Sequence, residues 1–302
     1  MSCDKGKAMK NILWVSDEPG WAYDANAKAL ASHMPQYKHH FRYTSQVGPE
    51  SVEAVRSLMD IIVAMNPAGF YMYGDNFSKV VSILDTVRAL GDSNEARFAE
   101  VAGIICNNEF LLSYANDRND NVMLQPNGVD LEYFKPCEEV IDRKLTVGFA
   151  GNIQSHYRHY KGFDVYQEAA NVMDIDQINI LYGTESRLAP DRMVPDFYHK
   201  IDCLILASEN EGCSNVITEA LACGVPAVCT KIGYHGHALT DGDECLFVEK
   251  SASSILNAFL KLQGDDGLLQ HMKQKARLFA EEHHDIRKVA LAYSMFFDEI
   301  IQ

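Results

Sequence analysis

Short apolar runs alternate with stretches of helical periodicity along most of the chain. "KNILWVS" (Lys10–Ser16) is an apolar run closed by "DEPGW", which predicts a buried strand entering a loop. "DANAKALASHM" opens on a possible N-cap and is rich in alanine, so it predicts a helix over residues 24–34. "KHHFRYT" predicts a second strand. "SVEAVRSLMDIIVAM" predicts a helix that stops at Asn66 and Pro67, because the residue before a proline avoids helical backbone. "AGFYMYG" then predicts a strand and "FSKVVSILDTVRAL" a helix. "AGIICN", "EFLLSYAN" and "NVMLQ" follow as strand, helix and strand.

After "PNGVDLEYFKP" the chain turns charged at "CEEVIDRK", a natural domain crossing, and the pattern restarts. "LTVGFAG", "INILYG", "CLILAS", "PAVCT" and "CLFV" predict strands. Between them "KGFDVYQEAANVM", "MVPDFYHKI" and "NVITEALAC" predict helices, and two or three more helices close the chain. In the last, "IRKVALAYSMFFDEII", the apolar positions Ile286, Val289, Ala290, Tyr293, Phe296, Phe297 and Ile300 form a helical stripe. Strand and helix alternating twice over predict two doubly wound α/β domains facing a cleft. The expected division is residues 1–140, residues 141–285, and a helix over 286–302 crossing back onto the first domain. Ligands of such sheets sit outside the carboxyl ends of the strands, so the loops after "LWVS", "FYMY", "GFAG", "ILYG", "ILAS" and "AVCT" are where chemistry is expected.

Composition narrows the classes. A length of 302 residues with 47% hydrophobic content leaves room for two packed cores. A net charge of −15 opposes a nucleic-acid partner and weakens association with an anionic membrane. Eight cysteines without a C-x-x-C pair imply reduced thiols and a cytoplasmic setting. No apolar run approaches the ~20 residues that span a bilayer. Residues 1–9 read as a loose leader without the apolar core of a secretory signal.

The loop after the first strand holds a single glycine, Gly20, so the G-x-G-x-x-G of a dinucleotide site is missing, and no P-loop occurs. The densest chemistry lies in "SENEGCSNVITEALACGVPAV". Here a strand runs into a small-residue loop, Glu211–Gly212–Cys213–Ser214, and Ser214 can cap a helix beginning near Asn215. The backbone N–H groups of Ser214, Asn215 and Val216 then lie at the positive end of a helix dipole, suited to a diphosphate. Glu211 sits in the loop beside that anion and Glu219 further along the helix. Carboxylates accept well from pairs of hydroxyls, so two of them flanking a phosphate site suit a ligand with a sugar on each side, a nucleotide sugar. The plainer alternative for each glutamate is a solvated surface position.

"EGCSNVITEALACGVPAV" resembles the E-x(7)-E motif of the family 4 retaining glycosyltransferases of the GT-B fold, and "VMLQPNGVDLEYFKP" is similar to that family's interdomain strand and its "PNGVD" signature. "ARFAEVAGIICNNEFLLSYA", "KGFDVYQEA" and "GYHGHALTDGDECLFVE" extend the resemblance from about residue 94 to the end. It implies that Glu219 holds the ribose hydroxyls, Glu211 the transferred sugar, and the backbone of Gly212, Cys213, Ser214, Asn215 and Val216 the diphosphate. The family's leaving-group clamp is an Arg just after a strand glycine and a Lys in a "KG" pair. In "FAGNIQSHYRHYKGF", Gly151 matches the glycine, Asn152 stands where the Arg is expected, and Lys161 matches the lysine. Arg158, in a longer loop, either replaces the missing Arg or is a surface charge, while His156 and His159 read as loop surface.

The first domain departs most from the family. His33, His39 and His40 match no family histidine, one strand–helix unit is missing, and Tyr73, Asp75 and Asn76 occupy the relevant strand end, where Asp75 either faces the cleft or makes a turn. Residues 182–187, "YGTESR", are expected to line the base pocket. Two D-x-D matches, at Asp174 and Asp176 and at Asp241 and Asp243, read as turn and strand chemistry rather than metal ligands, and the residues from Glu281 to His284 read as solvated. The resemblance implies transfer of a sugar from a UDP- or GDP-sugar to a sugar, lipid-linked or small-molecule acceptor, with retention, no cofactor and no metal. The alternatives are a non-catalytic nucleotide-sugar binder and a GT-B enzyme that hydrolyses or epimerises the donor alone.

Overall fold

The computed structural model describes residues 9–73, 76–86, 90, 96–137, 144–154, 157–182 and 188–301. The chain divides into two compact units, Met1–Gly128 with Ile286–Gln302, and Val129–Asp285. Most of the charged crossing, residues 138–143, lies outside the described residues. Each unit is built on one parallel sheet, the arrangement of the Rossmann-like GT-B fold.

The first unit holds six strands: β1 (Lys10–Ser16), β2 (Tyr37–Tyr43), β3 (Ile61–Ala64), β4 (Val80–Leu84), β5 (Gly103–Cys106) and β6 (Val122–Leu124). Their spatial order is β2-β1-β3-β4-β5-β6, so the chain changes direction across the sheet between β1 and β3. Among the described residues six strands stand where the patterning predicts five. "SVEAVRSLMDIIVAM" is not one helix: a helix covers Pro49–Arg56, with its proline in the first turn, and β3 follows. "FSKVVSILDTVRAL" contributes β4 rather than a helix. Both strands are buried at every position, and a strand covered on both faces loses its alternation and reads as a plain apolar run.

"AGFYMYG" is a 3-10 helix, Pro67–Tyr73, not a strand. Its aromatics build a cluster instead of a pleat, with Phe70 packing edge-on against Phe77 at 5.6 Å and Phe98 at 5.4 Å. Arg56 fixes that turn from below. Its buried guanidinium donates to the carbonyls of Tyr73 (2.5 Å) and Asn76 (2.6 Å) and pairs with Glu53.

The C-terminal helix Ile286–Ile301 belongs to the first unit's core. All the predicted stripe residues from Ile286 to Phe297 are buried, beside Ile12, Trp14, Val63 and Ile105 of the sheet. Gly103 lets the helix approach β5, because a Cβ there would meet the Phe296 ring at 2.7 Å. The hydroxyl of Tyr37 adds a polar tie, donating to Asp298 at 2.7 Å.

The second unit holds β7 (Thr146–Asn152), β8 (Asp176–Tyr182), β9 (Cys203–Leu206), β10 (Ala227–Cys229) and β11 (Cys245–Phe247), all parallel in the order β11-β10-β9-β7-β8. The direction changes between β7 and β9. "MVPDFYHKI" resolves into a single turn, Met193–Asp196, and a 3-10 turn, Tyr198–Lys200, and a short helix over Gly233–Ala238 appears that the patterning does not predict. His284 is fully buried rather than solvated, its ring 5.4 Å from that of Tyr234 and 5.5 Å from that of His235. Among the described residues no helix is long and apolar enough to cross a membrane.

Replacing Arg56 by Ala leaves the Tyr73 carbonyl, at the end of the 3-10 segment, and the Asn76 carbonyl beyond it without their charged donor. A loss of about 2–3 kcal/mol in unfolding free energy is expected. Chemical denaturation checks it, with Lys as the conservative control that restores only part of the stability.

Candidate functional site

The carboxyl ends of β7 and β9 meet at the change of direction in the second sheet, and the loops that leave them are bonded to each other. The Glu209 N–H donates to the Tyr160 carbonyl (3.0 Å), and the Tyr160 hydroxyl donates to the Asn210 carbonyl (2.8 Å). Gly162 adopts φ +70°, and a Cβ there would lie 2.2 Å from the Ala207 carbonyl oxygen. Both the backbone conformation and the space therefore demand glycine in the "KG" pair. On the opposite flank Gly233, at φ +59°, approaches the Glu211 and Gly212 carbonyls so closely that a Cβ would sit 2.4 Å from each, and the Tyr234 N–H donates to the Gly212 carbonyl at 2.7 Å.

This double clamp brings Lys161 to Glu211. The Lys161 Nζ lies 2.6 Å from Glu211 Oε1, and the Ser208 hydroxyl donates to the same oxygen at 2.7 Å. Both side chains are mostly buried, at 22% and 16% exposure, so Glu211 is no solvated loop residue. Gly151, next to last in β7, lies beside the lysine stem, where a Cβ would lie 4.0 Å from Lys161 Cγ. Asn152 makes a local turn, accepting from the Gln154 N–H at 2.8 Å.

The helix predicted near Asn215 covers Asn215–Ala222. Ser214 occupies its N-cap, but the hydroxyl makes no capping bond, so the expected side-chain cap is absent. Cys213 faces inward: it is buried, with its sulfur 3.9 Å from the Thr218 hydroxyl, which in turn lies 3.3 Å from His235 Nε2. Asn215 and Val216, in the first turn, are half-buried.

Glu219 follows two turns after the loop begins. The Tyr198 hydroxyl donates to its Oε2 at 2.5 Å. Some of its surface remains accessible, yet the packed protein around the carboxyl removes enough water to push its pKa up to about 7, against the opposing pull of the Tyr198 bond. Tyr133, Tyr198 and Cys223 surround it, each held above its ordinary pKa first by burial and further by neighbouring charges that include Glu219. Glu219 is thus not an exposed helix position either.

Arg158 is not brought to this cluster. Half-exposed, it pairs with Asp164 and lies over the Phe163 ring at 4.7 Å. His159 lies 3.3 Å from Glu209, and Lys250 lies 2.7 Å from the same carboxylate. His156, Asp75 and residues 183–187 of the expected base pocket lie outside the described residues. Asn76 makes a turn, accepting from the Ser78 hydroxyl at 2.9 Å. Asp243 pairs with His271 at 2.7 Å and Asp241 accepts from the Phe247 N–H at 2.8 Å, while Asp174 pairs with Lys144. Among the described residues no three His, Cys, Asp or Glu side chains converge so as to hold a metal ion. The patterning missed Tyr160, Tyr198, Ser208 and Gly233; of these only Gly233, a glycine one loop beyond a strand end, carries a sequence signal.

Residues 186–279 match the family model described as glycosyl transferases group 1. The chain is 25% identical over 227 residues to D-inositol 3-phosphate glycosyltransferase of Paenarthrobacter aurescens, covering 63% of this chain and 55% of that protein. It is 26% identical over 102 residues to N-acetyl-alpha-D-glucosaminyl L-malate synthase of Bacillus anthracis, covering 33% of this chain and 27% of that one. The chain thus spans only 27% to 55% of the length of these relatives. Among solved structures it is similar to Anabaena HepE in complex with UDP and glucose, at TM-score 0.72 and 14% identity over 94% of this chain and 98% of that one. It is likewise similar to sucrose-phosphate synthase of Thermosynechococcus elongatus, at TM-score 0.75 and 13% identity over 96% and 99%. At such identities the likeness is one of fold, that of the GT-B glycosyltransferases.

The raised pKa of Glu219 carries a stability signature. Between its ordinary value of 4.5 and about 7, the folded protein keeps a proton that the unfolded chain has released. This contribution therefore falls as pH rises through that window and is level above it. Glu219→Gln removes the titration, so its melting temperature relative to wild type is expected to climb from about pH 5 to about pH 8. A difference that stays constant across those pH values contradicts the enclosed carboxyl.

Proposed function

We propose that the protein is a glycosyltransferase that moves a sugar from a UDP- or GDP-sugar to an acceptor hydroxyl, with retention of configuration and without a metal ion. The observation that carries this reading is the contact of Lys161 with Glu211 at the carboxyl ends of β7 and β9, beside the start of the helix that carries Glu219. HepE, whose fold the chain shares, is described in complexes with UDP and with UDP-glucose, which supports the same ligand class here.

In this reading the diphosphate lies against the backbone of residues 212–216, where the positive end of the helix faces it. Lys161 swings from Glu211 to the phosphate nearest the sugar. As the glycosidic bond breaks, negative charge grows on that phosphate, and the lysine and the helix end are stronger partners for the transition state than for the intact donor. Glu211, released from the lysine, accepts from hydroxyls of the transferred sugar, and Glu219 accepts from the ribose. The departing phosphate takes the proton of the acceptor hydroxyl that attacks on the same face. Arg158 joins the clamp only if its pair with Asp164 opens. That pair favours the second reading, a protein that binds the nucleotide sugar and does not transfer from it.

The test is a thermal-shift panel of UDP, GDP, ADP and TDP on wild type and Glu219→Ala, followed by product analysis. One nucleotide is expected to stabilise wild type and not the variant. Lys161→Ala is expected to weaken nucleotide binding and to lower transfer by more, about 100-fold or beyond. Failure of all four nucleotides to bind, with or without added Mg²⁺, removes the donor site. Binding without any glycosylated product selects the second reading.

A further inference from the structure

Among the described residues Glu219 has one hydrogen-bond partner, the hydroxyl of Tyr198, which donates to Oε2 at 2.5 Å. Oε1 has none there, and part of the residue's surface is accessible. Tyr198 itself is 1% exposed, so it supports the carboxyl from within and does not reach a ligand. It opens the 3-10 turn Tyr198–Lys200, and its ring packs on those of Phe197 (5.0 Å) and Phe134 (6.0 Å). A buried phenol needs an acceptor, and a backbone carbonyl would satisfy it. This one is directed instead at the carboxyl in the middle of the helix Asn215–Ala222.

Among the described residues no cation pairs with Glu219. The ionisable groups around it are Tyr133, Tyr198 and Cys223, with Tyr182, Asp191 and Arg277 acting on these. Arg277 is committed elsewhere, donating to the Ala222 and Phe134 carbonyls at 2.7 and 2.9 Å and pairing with Glu281 at 2.6 Å. Enclosure therefore favours the neutral carboxyl, and the Tyr198 bond opposes it in favour of the carboxylate. The two effects balance at about pH 7. A neutral carboxyl keeps one O–H and accepts less, whereas a carboxylate accepts at both oxygens. A ligand that brings a pair of hydroxyls thus needs the form that Tyr198 stabilises, at the oxygen that Tyr198 leaves open.

We propose that Tyr198 is a positioning residue of the donor site: it holds Oε2 so that Oε1 is left for the ribose hydroxyls, and it tips Glu219 toward the carboxylate, so that the sugar nucleotide is taken up with release of a proton. The proton leaves Glu219 for the buffer as the ribose O–H groups become its donors, and no bond of the ligand changes. That Glu219 meets the ribose rests on the donor reading above. The tie between the Tyr198 hydroxyl and the ionisation of Glu219 does not.

Titration calorimetry on the full chain tests this with UDP-glucose and GDP-mannose, whose esterified phosphates have no proton to lose near neutral pH. Run in two buffers of different ionisation enthalpy, it counts the protons released. Wild type is expected to release most of one proton at pH 6 and almost none at pH 9, and to bind about tenfold more weakly at pH 6 than at pH 8. Glu219→Gln should release none at either pH. Tyr198→Phe removes a single oxygen atom, and its affinity profile should move up by about one pH unit. Its loss of affinity relative to wild type is then about tenfold greater at pH 6 than at pH 9. A variant that had merely lost packing would lose affinity equally at every pH. The proposal is overturned if wild type binds with no proton released at pH 6, a result that needs no variant to fold, or if Tyr198→Phe keeps the wild-type pH profile. Failure of both sugar nucleotides to bind wild type at any pH strikes the donor reading. The tie to Tyr198 is then read without ligand: the fall in stability on raising pH should extend about one pH unit higher in Tyr198→Phe, and an unchanged dependence overturns it.

Discussion

The backbone of Gly162 pressed against the carbonyl of Ala207 is the contact on which the second unit's chemistry depends. A parallel sheet delivers its loops to one edge, but it does not decide how far a loop stands off. Here the absent side chain and the left-handed φ let the segment 157–162 lie directly on the chain leaving β9. Two hydrogen bonds through Tyr160 keep it there. Lys161, one residue earlier, then has no choice but to project over the same edge as Glu211. The ion pair is a consequence of backbone packing more than its cause: what a mostly buried pair gains in attraction it largely gives back in lost hydration.

The two glutamates illustrate how environment separates identical groups. Glu211 has a lysine and a serine hydroxyl on one oxygen, so its charge is compensated before any ligand arrives. Glu219 has a single neutral donor, Tyr198, and a surrounding that strips its water, which leaves it poised near neutrality. A carboxyl in that state gains most from a ligand that brings two hydroxyls, because ionisation then becomes affordable. The proposed division of labour, one acid to the transferred sugar and one to the ribose, follows from that difference in compensation as much as from their spacing.

The sequence was most legible where glycines and polar loop residues punctuate the strand ends and least where burial alone shapes an element. In the second unit every predicted strand is found, because glycines and polar loop residues punctuate each end: "GFAGN", "ILAS" followed by "ENEG", "AVCT" followed by "KIG". In the first unit three consecutive predictions slip. "IIVA" and "VVSIL" are covered on both faces, so nothing in their pattern distinguishes strand from helix, and "GFYMY" owes its 3-10 turn to Arg56, seventeen residues before Tyr73. The site shows the same division. Glu211 and Glu219 were visible as residue types at a spacing and Lys161 only through the family resemblance, whereas Tyr198 and Ser208, which bond the two glutamates, are ordinary residues whose importance exists only in three dimensions. Arg158 is the converse, a plausible charge that the fold gives to Asp164.

Net charge sets a final constraint on how such a site can work. A protein carrying −15 offers a nucleoside diphosphate no long-range attraction, and at physiological salt fields fade within about 8–10 Å in any case. Affinity for an anion must then come from within the first shell: a lysine freed from its partner, backbone N–H groups at a helix start, and hydroxyl bonds to the flanking acids. On the proposed reading such a site discriminates by shape and hydrogen bonding more than by net charge, since Lys161 and Glu211 are paired before the ligand enters. On that reading, a protein of this charge takes up an anion only where a helix end and a lysine are set aside for it.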